Sequence, residues 1–325
     1  MIYITDYIEE STIEKKILGK NLINTPSNKS KKDIEVLLVW HKVIDENYLK
    51  EYPKIKAIVR YGVGFDNVDT ELCNKKGIKV FNNPDYGVDE VSDTSLGIIM
   101  NLSRCISSYD KKSKILTKFL NVKKPWQENT NKNALRLKDC RLGLIGVGRI
   151  GSSLALKMKN IVGGIEFYDP YVPSGYEKVL SAKRHKKLES LLKSVDIVSI
   201  HAPLSKETIG LVDDKFIGSM KRGSMLVNTA RGGLISSTDC LFRGIKSGRL
   251  SAIGLDVLPE EPPVNYKNDK FISLWMDQKN DLSEKIIINP HTSYYSPQSY
   301  KEMREKAARI ALNALRGNQI LNRIV

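Results

Sequence analysis

Three short segments carry the side chains that point to chemistry. They are VNTARGG (227–233) with Arg231, GLDVLPEEP (254–262) with Glu261, and NPHTSY (289–294) with His291. An arginine can hold a carboxylate through a forked pair of hydrogen bonds. A histidine can carry a proton near neutral pH. A carboxylate beside that histidine stabilises imidazolium and fixes the ring's orientation, and Glu261 could do both. Together such groups suit the reduction of a 2-oxo acid: the cation fixes the carboxylate, and the acid protonates the carbonyl oxygen as hydride arrives. Taken singly, each has an ordinary structural reading as a surface ion pair, a packed histidine or a solvated turn residue. All three segments, however, follow a predicted strand, and open α/β sheets bind ligands at the carboxyl ends of their strands.

A fourth motif could hold the hydride donor. Gly146-Val147-Gly148-Arg149-Ile150-Gly151 lies between the apolar run LGLI and a predicted helix over 152–160. Glycine spacing of this kind is weak alone and informative in that strand–turn–helix context. Gly146 allows the tight turn, Gly148 lets a pyrophosphate approach the backbone, and Gly151 lets the helix pack close to the strand. The phosphates then meet the free N–H groups and the positive end of the helix. The next run, IEFYD, ends at Asp169, eighteen positions past Gly151. A carboxylate there can accept both ribose hydroxyls and repels a 2′-phosphate, and Pro170 and Tyr171 supply no cation for one. NAD(H) is therefore expected over NADP(H).

The elements that must position these residues are strands alternating with helices, the pattern of parallel α/β architecture. Expected strands in the first third are 1–4, 36–40, 57–60 and 79–81, followed by a helix over 89–102. A lysine-rich helix and a loop with Pro125 and Trp126 come next. A second series, at 142–145, 165–168, 196–200, 224–228, 252–255 and 286–288, matches a complete doubly wound, Rossmann-type unit. A long amphipathic helix spans 297–316. The NAD-binding domain is placed at 101–292. Residues 1–100 and 293–325 form a smaller, discontinuous, flavodoxin-like α/β substrate domain, with a cleft expected where the chain crosses between the two.

Whole-chain properties narrow the class. The 325 residues suffice for two domains with real cores, and 41 % are hydrophobic. No run approaches the roughly 18 apolar residues of a membrane helix, and the N-terminus lacks signal-peptide features, so a cytoplasmic protein is expected. Cys73, Cys105, Cys140 and Cys240 form no CxxC pair, which predicts reduced thiols and no metal site. The formal charge of +15 is diffuse, with patches at 29–32, 111–124 and 183–187 and no interleaved aromatics. That distribution argues against a nucleic-acid partner and is compatible with steering anionic substrates.

The motifs YGVGFDNVD, NNPDYGVDEVSD, LGLIGVGRIG, YDPY, DIVSIHAPL, NTARGG, GLDVLPEEPP and NPHTSYYS occur in this order. Over nearly the whole chain they resemble the D-isomer-specific 2-hydroxyacid dehydrogenases, with the tail PHTSYYSPQSYKEMREKAAR resembling the C-terminal-binding-protein-like branch. The resemblance implies Arg231 for substrate, His291 as acid/base and Glu261, chosen over Glu260, as its partner. It implies that Val63 and Gly64 offer N–H groups to the substrate carboxylate and that Arg60 and Tyr294 face substrate. It implies that Asp256 contacts the nicotinamide amide. Thr229, Ala230 and Arg231, with His201, Ala202 and Pro203, would line the cofactor cleft beside His291. Tyr294 stands where animal corepressors of the branch have tryptophan, so substrate preference does not carry over. A homodimer built through the cofactor domain, around 107–137, is also implied.

Two alternatives follow. One is an NAD(H)-responsive, corepressor-like binding module with little catalysis. The other is a neighbouring dehydrogenase acting on phosphoglycerate or hydroxypyruvate. The stretch between Pro262 and His291, with Trp275, is read either as a partial lid or as a surface excursion.

Overall fold

A computed structural model describes residues 1–6, 10–114, 126, 130–277 and 279–325. Residues 115–125 and 127–129, which include part of the basic patch at 111–124, Pro125 and part of the segment expected to form the dimer, lie outside the described residues. The chain divides into two compact units, Met1–Gly87 with Tyr294–Val325, and Val88–Ser293. The expected junction at 100/101 falls inside the helix Val88–Arg104. That helix belongs to the second unit, because Ile98, Ile99 and Leu102 are buried in that unit's core. Gly254 makes the packing possible: a Cβ there would stand 2.2 Å from the Ile98 side chain.

The first unit is built on strands β1 (Ile2–Ile4), β2 (Leu22–Ile23), β3 (Val36–Val39), β4 (Ala57–Arg60) and β5 (Lys79–Phe81). They form one parallel sheet in the order β2-β1-β3-β4-β5, the flavodoxin-like order. β3 and β4 are buried along their whole length, which is why they read as unbroken apolar runs rather than alternating ones. The helix Pro297–Arg316 buries Met303, Ala307, Ala308 and Ala311 in the core that also holds Val36, Leu38 and Val59. Ser296 starts it with a capping box, proline occupies its first turn, and Gly317 ends it at φ 73°. Arg304 of this helix meets Glu14 through Nε (2.9 Å) and Nη2 (2.6 Å), and the Tyr61 hydroxyl donates to the same carboxylate at 3.1 Å. All three side chains are buried, so removing one partner would strand a desolvated charge. The chain end returns antiparallel to β5, with the Ile324 N–H on the Val80 carbonyl at 2.7 Å, and covers that sheet edge.

The second unit contains β6 (Arg141–Ile145), β7 (Gly164–Tyr168), β8 (Lys183–His185), β9 (Ile197–Ile200), β10 (Ser224–Asn228), β11 (Leu250–Leu255) and β12 (Ile286–Ile288). Their order is β12-β11-β10-β9-β6-β7-β8, all parallel. This is a doubly wound sheet whose strand order reverses between β6 and β9, the crevice where such folds bind dinucleotides. The six strands expected here are present. The seventh, β8, falls within the basic patch at 183–187 and has no strand signal in the sequence, because an edge strand needs little apolar surface. Its Arg184 is a structural brace that donates to the carbonyls of Asp169, Val172 and Pro173.

Candidate active site

The glycine turn comes first. β6 feeds Gly146, which adopts φ 87° and lies so close to β9's exit that a Cβ would stand 2.9 Å from the His201 carbonyl group. A Cβ on Gly151 would stand 2.2 Å from the Gly146 oxygen, so the helix Arg149–Met158 approaches the strand only because glycine is there. Gly148 differs. Nothing lies within 4 Å of its would-be Cβ, and it caps the helix without any side-chain hydrogen bond. A helix N-terminus with its N–H groups uncapped and open space beside its glycine fits a pyrophosphate. The helix begins at Arg149, three residues earlier than expected, which puts Arg149 and Ile150 in its first turn.

Asp169, at the end of β7, is nine-tenths buried. Its Oδ2 accepts the Val147 N–H at 2.9 Å and its Oδ1 the Tyr171 N–H at 2.9 Å, so one carboxylate ties the loops after β6 and β7 together. His201 follows β9. Its N–H donates to the Ile145 carbonyl at 2.8 Å, and its Nε2 lies 2.9 Å from the Ser199 hydroxyl. The ring keeps some exposed surface but is densely surrounded, and this desolvation takes it down to about 4, leaving it neutral near pH 7. Ala202 is buried behind it, and the Pro203 carbonyl accepts from the Thr208 hydroxyl at 2.6 Å.

The arginine loop is locked by a residue that sequence reasoning passed over. Asn228 Oδ1 accepts the Ala230 N–H at 3.0 Å, and its Nδ2 donates to the Arg231 carbonyl at 2.9 Å. Its signal was present, since Asn opens the NTARGG motif and asparagine commonly bonds backbone two residues on. The Thr229 hydroxyl pairs with Ser95 at 2.8 Å, a contact with no sequence signal because the residues are 134 positions apart. A Cβ on Gly232 would stand 1.7 Å from the Leu258 carbonyl oxygen. Glycine alone lets the Arg231 loop lie against the segment that carries Glu261.

The histidine sits in a strained turn. His291 adopts φ 54°, an uncommon conformation outside glycine, and its N–H donates to the Asp256 carbonyl at 2.8 Å. The fully buried Asp256 carboxylate accepts the N–H groups of Thr292 (3.0 Å) and Ser293 (3.1 Å) and the Ser293 hydroxyl. Burial raises this carboxyl above its usual range, more than those bonds and the His291 charge lower it. Asp256, expected to meet the nicotinamide amide, also holds with its carboxylate the backbone that follows His291.

His291 Nδ1 stands 2.7 Å from Glu261 Oε2, and Glu261 Oε1 accepts the Leu258 N–H at 2.7 Å. The Glu261–Pro262 peptide is cis. Burial raises the Glu261 carboxyl, but the His291 hydrogen bond and charge, the Leu258 N–H and the Arg231 charge outweigh it and hold it below its usual range. The second unit therefore gathers Arg231, Glu261 and His291 from the ends of β10, β11 and β12. Part of the stretch before His291 is core: in the helix Lys270–Met276, Phe271, Ile272 and Leu274 are buried and Trp275 packs on the same cluster, while Val264 and Tyr266 are exposed. Trp275 is thus a packing residue in this fold.

The remaining expected site residues lie in the first unit. Arg60 is buried and braces the loop after β4, donating Nε to the Gly64 carbonyl at 2.8 Å and Nη1 to the Val39 carbonyl at 3.2 Å. The Val63 carbonyl accepts from Asn82 at 2.7 Å. Tyr294 stands in an aromatic group, with ring centroids 6.3 Å from Tyr86 and 6.5 Å from Trp40.

A glycine turn at the switch point of a doubly wound sheet, a buried carboxylate after the second strand and an Arg–Glu–His set at the strand ends define a dinucleotide-dependent oxidoreductase. Residues 96–293 match the D-isomer specific 2-hydroxyacid dehydrogenase, NAD binding domain. The chain is 32 % identical over 287 residues to a glyoxylate reductase of Thermofilum pendens, covering 88 % of this chain and 79 % of that one. It is also 32 % identical over 282 residues to a glyoxylate reductase of Thermococcus litoralis, covering 85 % and 78 %. Its structure resembles the D-lactate dehydrogenase of Aquifex aeolicus complexed with NAD and lactic acid, at TM-score 0.82 and 28 % identity over 98 % of this chain and 96 % of that one. The chain belongs to the D-isomer specific 2-hydroxyacid dehydrogenase family, and Val88–Ser293 contains its NAD-binding domain.

Proposed function

We propose that this protein is an NAD-dependent dehydrogenase that interconverts a small 2-oxo acid and its D-2-hydroxy acid, with His291 as acid/base. The observation that carries the assignment is the 2.7 Å bond from His291 Nδ1 to Glu261. It fixes the tautomer with the proton on Nδ1 and leaves Nε2 to serve the substrate oxygen. NADH, when bound, supplies the hydride. His291 in its protonated form then gives its Nε2 proton to the carbonyl oxygen, and in the reverse direction takes it from the hydroxyl. Glu261 stays ionised and stabilises the imidazolium. Arg231 holds the substrate carboxylate in a forked pair. Val63 and Gly64 add N–H groups to that carboxylate, and Arg60 and Tyr294 border the substrate.

Cofactor contacts fall to Gly146, Gly148, Arg149, Ile150 and Gly151 around the pyrophosphate and to Asp169 at the adenosine ribose. His201–Pro203 and Thr229–Arg231 line the rest, with Asp256 at the nicotinamide amide and His291 beside it. Asp169 favours NAD over NADP through its charge. We place the enzyme in the cytoplasm, supported by four buried, unpaired cysteines, and expect a homodimer.

The test is NADH oxidation across 2-oxo acids from glyoxylate and pyruvate to hydroxypyruvate, branched and phosphorylated acids, with the Arg231→Gln variant alongside. Turnover on a small acid that loses both affinity and rate in the variant supports the assignment. Turnover unaffected by the substitution removes Arg231 from it. NADH binding without turnover on any acid would overturn the enzymatic reading.

A further inference from the structure

The loops after β7 and β9 approach each other on the cofactor side of the second unit. In the sheet, β7 and β9 flank β6, and all three run parallel, so their following loops flank the glycine turn. The two outer loops are joined by a side-chain bond: the Tyr171 hydroxyl donates to the Glu207 carboxylate. Tyr171 is 74 % exposed, so core packing does not hold it there.

Each end of this bridge is anchored. Tyr171 N–H and Val172 N–H donate to Asp169 Oδ1 at 2.9 and 3.3 Å, and Arg184 pins the carbonyls on either side at 2.8 Å. On the other side, Thr208 Oγ1 accepts the Ser205 N–H at 2.8 Å and donates to the Pro203 carbonyl, while the Glu207 N–H donates to Ser205 Oγ at 3.2 Å. Two braced turns thus meet through an exposed side-chain contact. The backbone on both sides is held, and side-chain rotation at Tyr171 or Glu207 breaks the link without unfolding anything.

We propose that Tyr171 and Glu207 form a latch across the adenosine half of the cofactor site, which must open for the dinucleotide to leave. The proposal rests on the cofactor placement given above. Asp169 connects the two functions, since the carboxylate offered to the ribose also positions the Tyr171 backbone. The carboxylate bond raises the Tyr171 pKa, so the donor stays protonated throughout the neutral range. Both latch residues are positioning residues, acting on dinucleotide release rather than on the reacting atoms.

The test is the rate of NADH release, read as nicotinamide fluorescence in stopped-flow displacement by excess NAD+. Wild type, Tyr171→Phe, Glu207→Ala and the double variant are compared, with melting temperatures as the folding control. Each single variant should release NADH about 3- to 10-fold faster, the range of one hydrogen bond, with the association rate little changed. The double variant should be no faster than either single one, because both remove the same bond. Unchanged release in the single variants, or factors that multiply in the double variant, would overturn the latch while leaving the cofactor site intact. Failure of the wild type to bind NADH would instead overturn the cofactor placement and the latch with it.

Discussion

Two histidines of the second unit each bond a glutamate, and their surroundings separate structure from chemistry. His185 Nε2 lies 2.5 Å from Glu166 Oε2, and its Nδ1 lies 2.8 Å from the Ser190 hydroxyl. Both ring nitrogens are occupied, the pair is buried, and Glu166 is further held by Arg141 at 2.6 Å and Ser194 at 2.7 Å. His291 also bonds its glutamate, but through Nδ1 and with 44 % of its side chain exposed. The same residue types give a closed network in one place and a ring with an accessible face in the other. What differs is which nitrogen the carboxylate takes and whether solvent reaches the ring.

The largest effect should come from taking the proton away. His291→Gln is expected to lower turnover by roughly two to four orders of magnitude with NADH affinity unchanged. Fluorescence titration and steady-state rates on the same preparation separate the two, and undiminished turnover would make His291 as structural as His185. At the other pair the loss should appear in stability instead. Glu166→Ala leaves Arg141, Lys183 and His185 around an empty position and should cost about 3–5 kcal/mol in denaturant unfolding. Its kcat/KM should remain within a few-fold of wild type, and a kinetic collapse in a folded variant would blur the contrast.

Acid should probe the same pair more gently. Burial raises the Glu166 carboxyl, but the bonds from Ser194, His185 and Arg141 and the Lys183 charge bring it down to about 2. A carboxyl lowered by folding contributes stability that is fully present above its unfolded pKa. That stability is lost as pH falls from the unfolded value, near 4.5, toward 2. The contribution is on the order of 2–3 kcal/mol, and Glu166→Gln should flatten the pH dependence of the melting temperature in that window. The smallest change is Ser190→Ala, which removes the partner of His185 Nδ1. A loss of about 1 kcal/mol with unaltered kinetics is expected, and a larger one would mean that Ser190's second bond, to the Lys187 carbonyl, also matters.

Much of this protein was legible before any coordinates. Alternating apolar runs and helical patterns located most strands of each unit's sheet, all but β2 and β8, because buried parallel strands are largely apolar. Gly146 and Gly151 were assignable because each answers a backbone requirement that only glycine meets, and Gly148 because a pyrophosphate needs open space beside it. Arg231, Glu261 and His291 were identifiable as types of chemistry at strand ends. Tertiary structure decided what depends on distant neighbours. The helix Val88–Arg104 joined the second unit because its apolar face fits over Gly254, where no Cβ stands in the way. β8 escaped notice because an edge strand with basic residues looks like a charged loop until its neighbour is known. Gly232's contact with Leu258 and Ser95's with Thr229 are long-range packing facts that no local spacing encodes. The two histidines complete the case: the sequence offered His291 as acid/base and gave His185 no role, and only three-dimensional packing showed that His185 has both ring nitrogens in a buried network while His291 keeps an exposed face.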